Sequence, residues 1–417
     1  MTSTSDRVFV WTWLPGETEP VVAGVLQRFG GHLRFAYGRS YLARDDAISL
    51  YGPELPLREG WTEPQGLMAM PSALRDAAPD AWGRRVIYAR RTGRSGVDAD
   101  TDELSAEAYL MESGSNRFGA VDFQPDPQRY VPRVDTAPLD ELHRAALTIQ
   151  EGKRLDDVLA EALVHGTSIG GARPKVLLHD GGDGEYIAKL SVSDDPYPVV
   201  NAEAVGSELA RRCGLVVPAT TVTRSLGREV LLVRRFDREP GGFRRHAVSG
   251  LTVLGLDEME ARYATYPDLL DVLRSMSGEP REVGPELFRR IVVNVAIGNT
   301  DDHARNHAAF WDGRFLELTP AYDLCPQVRS GETAAQAMAI DREGNRRSDF
   351  ATCLSAAHIY GLDVRGAREI IGEVVGAIAD SWDEAADAAR LTQVDKDWLW
   401  RRQILNPSTS YGYESGT

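Results

Sequence analysis

The sequence predicts an α+β fold: a β-rich N-terminal subdomain, a mixed middle region and a mainly helical C-terminal lobe. Three observations carry this. Short apolar runs at residues 8–11, 21–26 and 33–37 alternate with turn residues, and Gly30-Gly31 marks a hairpin. Between residues 139 and 235, helical spacing at 139–151, 155–164 and 202–213 is mixed with strand-like runs at 175–179, 185–190 and 229–234. From residue 236 to about 405 the pattern is mainly helical.

Taken in order, two helices follow the first strands, at 80–91 and 102–112, and the Pro- and charge-bearing stretch 124–138 closes that region. The turn Asp180-Gly181-Gly182-Asp183-Gly184 joins the next two strands. A strand-ended hinge at 233–236 leads to the helices, and an apolar run at 287–297 reads as a buried helix. The expected divisions are 1–125, 126–235 and 236–405, with a small polar tail at 406–417 that is too weakly apolar to order itself. A length of 417 residues fits about two to three domains. A β-rich half before a helical half is the order of a bilobal phosphotransferase, in which nucleotide would sit between the lobes, and it is equally the order of a two-domain α+β protein without nucleotide.

Composition sets limits. A net charge of -15 and a pI near 5.1 argue against extended nucleic-acid binding by this chain alone. The arginine pairs 84–85, 90–91 and 244–245 read as solvated surface. Cys213, Cys325 and Cys353 have no C-x-x-C spacing and do not suggest a disulfide framework. The N-terminal residues lack the apolar run of a signal peptide, and no stretch approaches a membrane span, so a cytoplasmic location is expected.

The chemistry concentrates in Asn299-Thr300-Asp301-Asp302-His303-Ala304-Arg305-Asn306. An Asp followed five positions later by an Asn is the spacing with which phosphotransferases place a proton acceptor and a magnesium ligand. Asp302 competes for the first role, and only the spacing prefers Asp301. The same residues could also form a turn capping two helices. Further on, Asp323 sits among apolar neighbours, where a carboxylate needs a partner: a magnesium ion shared with Asn306, or an arginine.

Three other segments add to this. Ser168-Ile169-Gly170-Gly171-Ala172-Arg173-Pro174-Lys175 offers backbone amides and cations to phosphate oxygens, although Ala172 stands where a Walker loop requires Lys. Lys189 ends a strand and Glu203 begins a helix, the pairing that steadies a cation against nucleotide phosphates. His303 and His307 could seed a metal site, but no Glu lies between them, and His303 reads better as a residue that orders the loop.

Together these motifs resemble the HipA family of bacterial toxin–antitoxin kinases. The resemblance extends to Asp80-Ala81-Trp82-Gly83-Arg84-Arg85, Asn116-Arg117-Phe118-Gly119-Ala120, Asn201-Ala202-Glu203 and Val233-Arg234-Arg235-Phe236-Asp237-Arg238. It implies a bilobal eukaryotic-like protein kinase fold with an extra N-terminal subdomain, with 1–125 as that subdomain, 126–235 as the nucleotide-binding lobe and 236–405 as the catalytic lobe. It implies Ser/Thr phosphorylation from ATP and Mg²⁺. Asp301 would be the catalytic base, and Asn306 and Asp323 the metal ligands. Lys189, backed by Glu203, would hold the phosphates with Gly170, Gly171, Lys175 and His303, and the backbone from Arg234 to Phe236 would take the adenine. Ser168 would be a self-inhibiting autophosphorylation site. The family also implies a HipB-like DNA-binding antitoxin, contact with DNA only through it, and an aminoacyl-tRNA synthetase as one candidate substrate. The stretch 246–255 lacks the acidic run of the best-known members, which leaves the protein substrate open. A small-molecule alcohol phosphotransferase and a catalytically silent co-repressor are the alternatives.

Overall fold

The computed structural model describes residues 7–95, 100–134, 137–155, 157–166, 171, 173–182, 184–192, 195–329 and 331–414. The chain forms two compact units. Unit 1 comprises Met1–Ser193, Thr223–Val248 and Phe310–Arg314, and unit 2 comprises Asp194–Val222, Ser249–Ala309 and Phe315–Thr417.

Unit 1 opens with a five-stranded sheet made of β1 (Arg7–Thr12), β2 (Val21–Phe29), β3 (His32–Tyr37), β4 (Trp61–Thr62) and β5 (Val121–Gln124), in the order β4-β3-β2-β1-β5. Alternation decides its faces: Leu33, Phe35 and Tyr37 of β3 are buried while the residues between them are less so. The Gly30-Gly31 hairpin stands where the sequence puts it, with Phe29 paired to His32. Four helices accompany the sheet: α1 (Arg39–Leu42), α2 (Ser72–Arg75), α3 (Ala81–Thr92) and α4 (Ala106–Glu112). The single helix expected at 102–112 is broken, because the Ser105 hydroxyl accepts from the Ala108 amide and caps a new start.

Helices α5 (Leu139–Gln150) and α6 (Asp157–His165) precede a second sheet of β6 (Lys175–His179), β7 (Glu185–Leu190), β8 (Thr220–Ser225) and β9 (Arg228–Arg234), ordered β6-β7-β9-β8. One face of this sheet, through Val176, Ala188, Leu190 and Val230, is buried in a core with Trp82, Val86 and Ile87 of α3, Leu142, Ala145 and Ile149 of α5, and Leu163 of α6. Full burial of a large apolar side chain contributes about 1.5–3 kcal/mol. The boundary expected near residue 125 therefore falls inside unit 1, whose core is continuous across it.

Unit 2 is mainly helical: α7 (Val199–Arg212), α8 (Gly250–Val253), α9 (Tyr266–Met276), α10 (Pro280–Ile297), α11 (Phe350–Ala356), α12 (Val364–Ala388) and α13 (Gln393–Leu399). Helix α10 packs against α9 and α12 and is buried along nearly its whole second half. The tail past Asn406, expected to lack order, instead forms a 3₁₀ turn at Pro407–Ser410. Ser408 and Thr409 are buried there, and Arg329 donates to the Ser408 hydroxyl at 3.0 Å. No helix among the described residues is long and apolar enough to cross a membrane. A β-rich N-terminal region and a helical C-terminal part are the α+β arrangement the sequence predicts.

Candidate active site

Helix α10 delivers the chemistry of unit 2. Ile291, Val292, Val293, Val295, Ala296 and Ile297 are buried, which fixes the helix rigidly, and it stops at Gly298. That residue holds φ 74° in the left-handed region, and a Cβ on it would lie 2.5 Å from the Gln403 carbonyl oxygen, so glycine is required. The polar loop 299–306 follows at once and closes in a 3₁₀ turn at Ala304–Asn306.

The structure separates the two adjacent aspartates. Asp302 is buried, and its Oδ2 accepts from the Tyr266 hydroxyl at 2.5 Å and from Asn294 Nδ2 at 2.8 Å, with His307 Nε2 at 3.0 Å. Buried at 2% exposure and with Oδ2 held by three groups, this carboxylate is tied into the interior. Asp301 is exposed, and its carbonyl oxygen is held by the His303 amide at 2.9 Å and by Asn306 Nδ2 at 3.0 Å. Partial withdrawal from water raises the proton affinity of the Asp301 carboxyl, with Asp323 and Asp302 adding to it and His303 opposing. A carboxylate that is reachable and inclined to take a proton suits a general base.

Asn306 is buried. Its Nδ2 is committed to Asp301, and no described residue donates to its Oδ1, so the amide is oriented with that oxygen available. Asp323 holds φ 61°, left-handed for a residue other than glycine. Its peptide oxygen accepts from the Cys325 amide at 3.1 Å, and Tyr322 is fixed by a hydroxyl bond of 2.7 Å to the Arg305 carbonyl. One amide oxygen and one carboxylate are the hard donor set that magnesium accepts when waters and phosphate complete its shell. Among the described residues no group of three or more His, Cys, Asp or Glu offers a competing metal site. His307, tied to Asp302, does not join His303 in one.

Helix α7 backs this segment. A Cβ on Gly206 would lie 2.0 Å from the Leu324 carbonyl oxygen, so the helix backbone rests against the residue after Asp323. Glu203, three positions earlier on α7, is buried.

Unit 1 carries the remaining predicted residues. Lys175 and Lys189 are paired across β6 and β7, which puts both side chains on one face of the sheet, opposite the apolar core. Like charges directly opposite disfavour each other, and Asp80 supplies a negative charge beside Lys175. Lys175 is buried, and its ammonium lies 3.9 Å from Asp80, which also caps α3 by accepting from the Gly83 amide at 3.0 Å. The Trp82 indole donates to the Lys175 carbonyl at 3.0 Å, and the Trp82 amide to the Gly171 carbonyl at 3.4 Å. The N-terminal Asp80–Trp82 motif thus anchors the end of the glycine loop. Ser168 and Gly170 lie outside the described residues.

The hinge is clamped by a buried ionic network that joins two of the quoted motifs. Arg235 forks onto Asp237 at 2.9 and 2.7 Å and bonds Asn116 Oδ1 at 2.6 Å. Asp237 accepts from the Gly119 amide at 2.8 Å, and Arg238 donates to the Gly119 carbonyl at 2.9 Å. Burial alone would raise the Asp237 carboxyl, but Arg235 and Arg238 outweigh it and hold it well below the usual range. Beside this clamp Arg234 is exposed, and the Phe236 ring lies edge-on to Phe118 and Phe310. The pattern of residues showed neither this network nor the Tyr266, Asn294 and Asp302 set. The only trace of the latter was the doubled Asp.

Residues 167–382 match the HipA-like C-terminal domain family. The chain is 27% identical over 338 residues to Y4mE of Sinorhizobium fredii, named as a candidate kinase, covering 74% of this chain and 75% of that protein. It is also 27% identical over 216 residues to the serine/threonine-protein kinase toxin HipA of Shewanella oneidensis, covering 45% of this chain and 50% of that one. The HipA chain in a solved complex of Shewanella oneidensis HipA, HipB and operator DNA superposes with a TM-score of 0.64 at 18% identity, over 94% of this chain and 95% of that one. With more than half its length in the family domain, this chain belongs to the HipA family.

Proposed function

We propose that the chain is an ATP- and Mg²⁺-dependent serine/threonine protein kinase and the toxin of a toxin–antitoxin pair. The observation that carries this is the division of labour in the loop after α10: Asp302 is buried with its Oδ2 held by Tyr266, Asn294 and His307, while Asp301 is exposed and Asn306 is oriented beside it. In this reading a serine or threonine hydroxyl gives its proton to the Asp301 carboxylate as its oxygen bonds to the γ-phosphorus of ATP and ADP leaves. Asn306 and Asp323 would hold magnesium, which when bound neutralises charge on the phosphates. Lys189 and Lys175 of unit 1 would supply positive charge to a phosphate chain, and Glu203 on α7 would be the acidic residue of the kinase set. The strand end from Arg234 to Phe236, kept in place by the Arg235–Asp237 clamp, offers backbone groups to adenine.

The family similarity supports a HipB-like antitoxin as partner, with DNA reached only through it, which suits a chain of net charge -15. It also supports Ser168 as the self-inhibiting phosphorylation site, since a phosphate there adds about -1.5 to -2 charge beside the nucleotide. An aminoacyl-tRNA synthetase is the substrate class to test first.

The test is peptide mass spectrometry after incubating the purified chain with Mg-ATP, alongside Asp301→Asn. Phosphate on Ser168 in the parent chain and none in the variant is the expected result. Equal incorporation in both would overturn Asp301 as the base.

A further inference from the structure

The buried polar set under the catalytic loop is larger than stability alone asks for. Tyr266, Asn294, Asn299, Asp302 and His307 are each 5% exposed or less. Tyr266 lies at the start of α9, Asn294 one turn before the end of α10, Asn299 and Asp302 in the loop, and His307 just after it. Their bonds form one connected path. Tyr266, Asn294 and His307 meet on Asp302 Oδ2, and the Tyr266 and His307 rings stand edge to face at 5.7 Å. Asn294 turns its Oδ1 to the Asn299 amide at 2.9 Å. Asn299 then reaches both residues of the proposed chemistry. Its Oδ1 accepts from the Asp301 amide at 3.3 Å, and its Nδ2 contacts the Asp323 carbonyl at 3.4 Å.

A buried carboxylate with several donors is costly to build, and apolar residues of similar volume would serve packing as well or better. What such a network supplies is one defined geometry, since each member fixes the orientation of the next. Here the far end of the path is the backbone of Asp301 and Asp323. We infer that Tyr266, Asn294, Asn299 and His307 are positioning residues, which through Asp302 hold the peptide groups of Asp301 and Asp323 in fixed register. The inference rests on the reading of Asp301 and Asp323 as the base and the metal ligand. None of the five touches substrate. Asp302 is the hub of this support and takes no part in proton transfer, which settles the choice between the two aspartates in physical terms. The Tyr266 amide also donates to the Ala339 carbonyl at 3.0 Å, so the start of α9 is itself fixed from both sides.

Two variants of the full chain test this: Tyr266→Phe, which removes one hydroxyl, and Asn299→Ala, which cuts the path at its end. Steady-state ATP turnover with magnesium gives kcat and KM, and hydrogen–deuterium exchange follows the amides of Asp301, His303, Asn306 and Cys325. The expected result is a kcat lower by about ten- to a hundredfold with KM for ATP changed less than about twofold. Exchange at those amides should be faster, and the double variant no worse than the poorer single one, because both cut one path. A role confined to folding would lower the melting temperature and leave kcat of the folded fraction intact. Unchanged kcat in folded variants, or a lower kcat without faster exchange at these amides, would overturn the inference. Should the parent chain turn over no ATP, the kinase reading fails separately. The exchange measurement then still decides, with unchanged rates rejecting the network as the support of this loop.

Discussion

Asp323 pays in backbone strain for its place. A left-handed conformation costs an ordinary residue about 1–2 kcal/mol, and Asp and Asn bear it better than others. Glycine would remove the strain, and the chain keeps a carboxylate there instead. Asp323→Asn should therefore fold with a melting temperature within a few degrees of the parent, yet lose about a hundredfold or more in magnesium-stimulated ATP turnover. Turnover measured across a magnesium titration, beside a thermal melt, checks both halves, and a variant with parental turnover would remove Asp323 as a ligand. Asp323 was legible in sequence because a lone carboxylate among apolar residues raises the question of its partner. Asp301 and Asp302 were not separable that way. They are adjacent and of one type; only the spacing to Asn306 prefers Asp301, and the tertiary difference is that Asp302 meets Tyr266 and Asn294. That Asp80 lies beside Lys175 was not legible, because the two are far apart in sequence.

Among the elements, those closed by local chemistry were the legible ones. Strands β6 and β7 have the bounds the sequence gives, with Asp180 accepting from the Gly182 and Gly184 amides to close the turn. Helix α10 begins at Pro280, seven residues before its apolar run, because Pro280 lies at its first position, where no amide bond is lost. Pro285 within the polar first turns hid that start. The terminal 3₁₀ turn was hidden for another reason: its buried residues, Ser408 and Thr409, are polar, and only tertiary neighbours such as Arg329 cover them. Helix α7 yields the prediction at this scale. Gly206→Ala would push a methyl group into the Leu324 carbonyl, and relief requires moving the helix or the Asp323 segment. A loss of about 1–3 kcal/mol in urea unfolding is expected, together with weaker magnesium dependence of turnover. A stability equal to the parent's would show that the helix and the segment do not press on each other.

For the molecule as a whole, the clamp of unit 1 sets the response to acid. Asp237, Asp122 and Glu185 are each held below their ordinary range: burial works against them, but Arg235 and Arg238, Arg117 and Arg133, and again Arg238 and Arg235 prevail. Free Asp and Glu titrate near about 3.9 and 4.3. The folded state binds fewer protons than the unfolded chain below those values, so the stabilisation is fully present above about pH 5 and is lost as pH falls through the folded pKa values. Urea midpoints should hold from pH 7 to 5 and drop steeply below pH 4. Asp237→Asn, which leaves two buried guanidinium groups short of charge, should lose about 3–5 kcal/mol at pH 7 and show a shallower acid limb. An unchanged acid limb would mean that Asp237 is not depressed.

The core that α3 shares with the Lys189 sheet has a further consequence, for how this chain can be divided. The family domain begins at residue 167, whereas Trp82, Val86 and Ile87 fill the core beneath β6 and β7. A fragment starting at the family boundary would uncover Val176, Ala188 and Leu190, a ready surface for aggregation. The unit of homology is thus shorter than the unit of folding. What looks like an accessory N-terminal extension is part of the smallest piece of chain able to hold the sheet that carries Lys189.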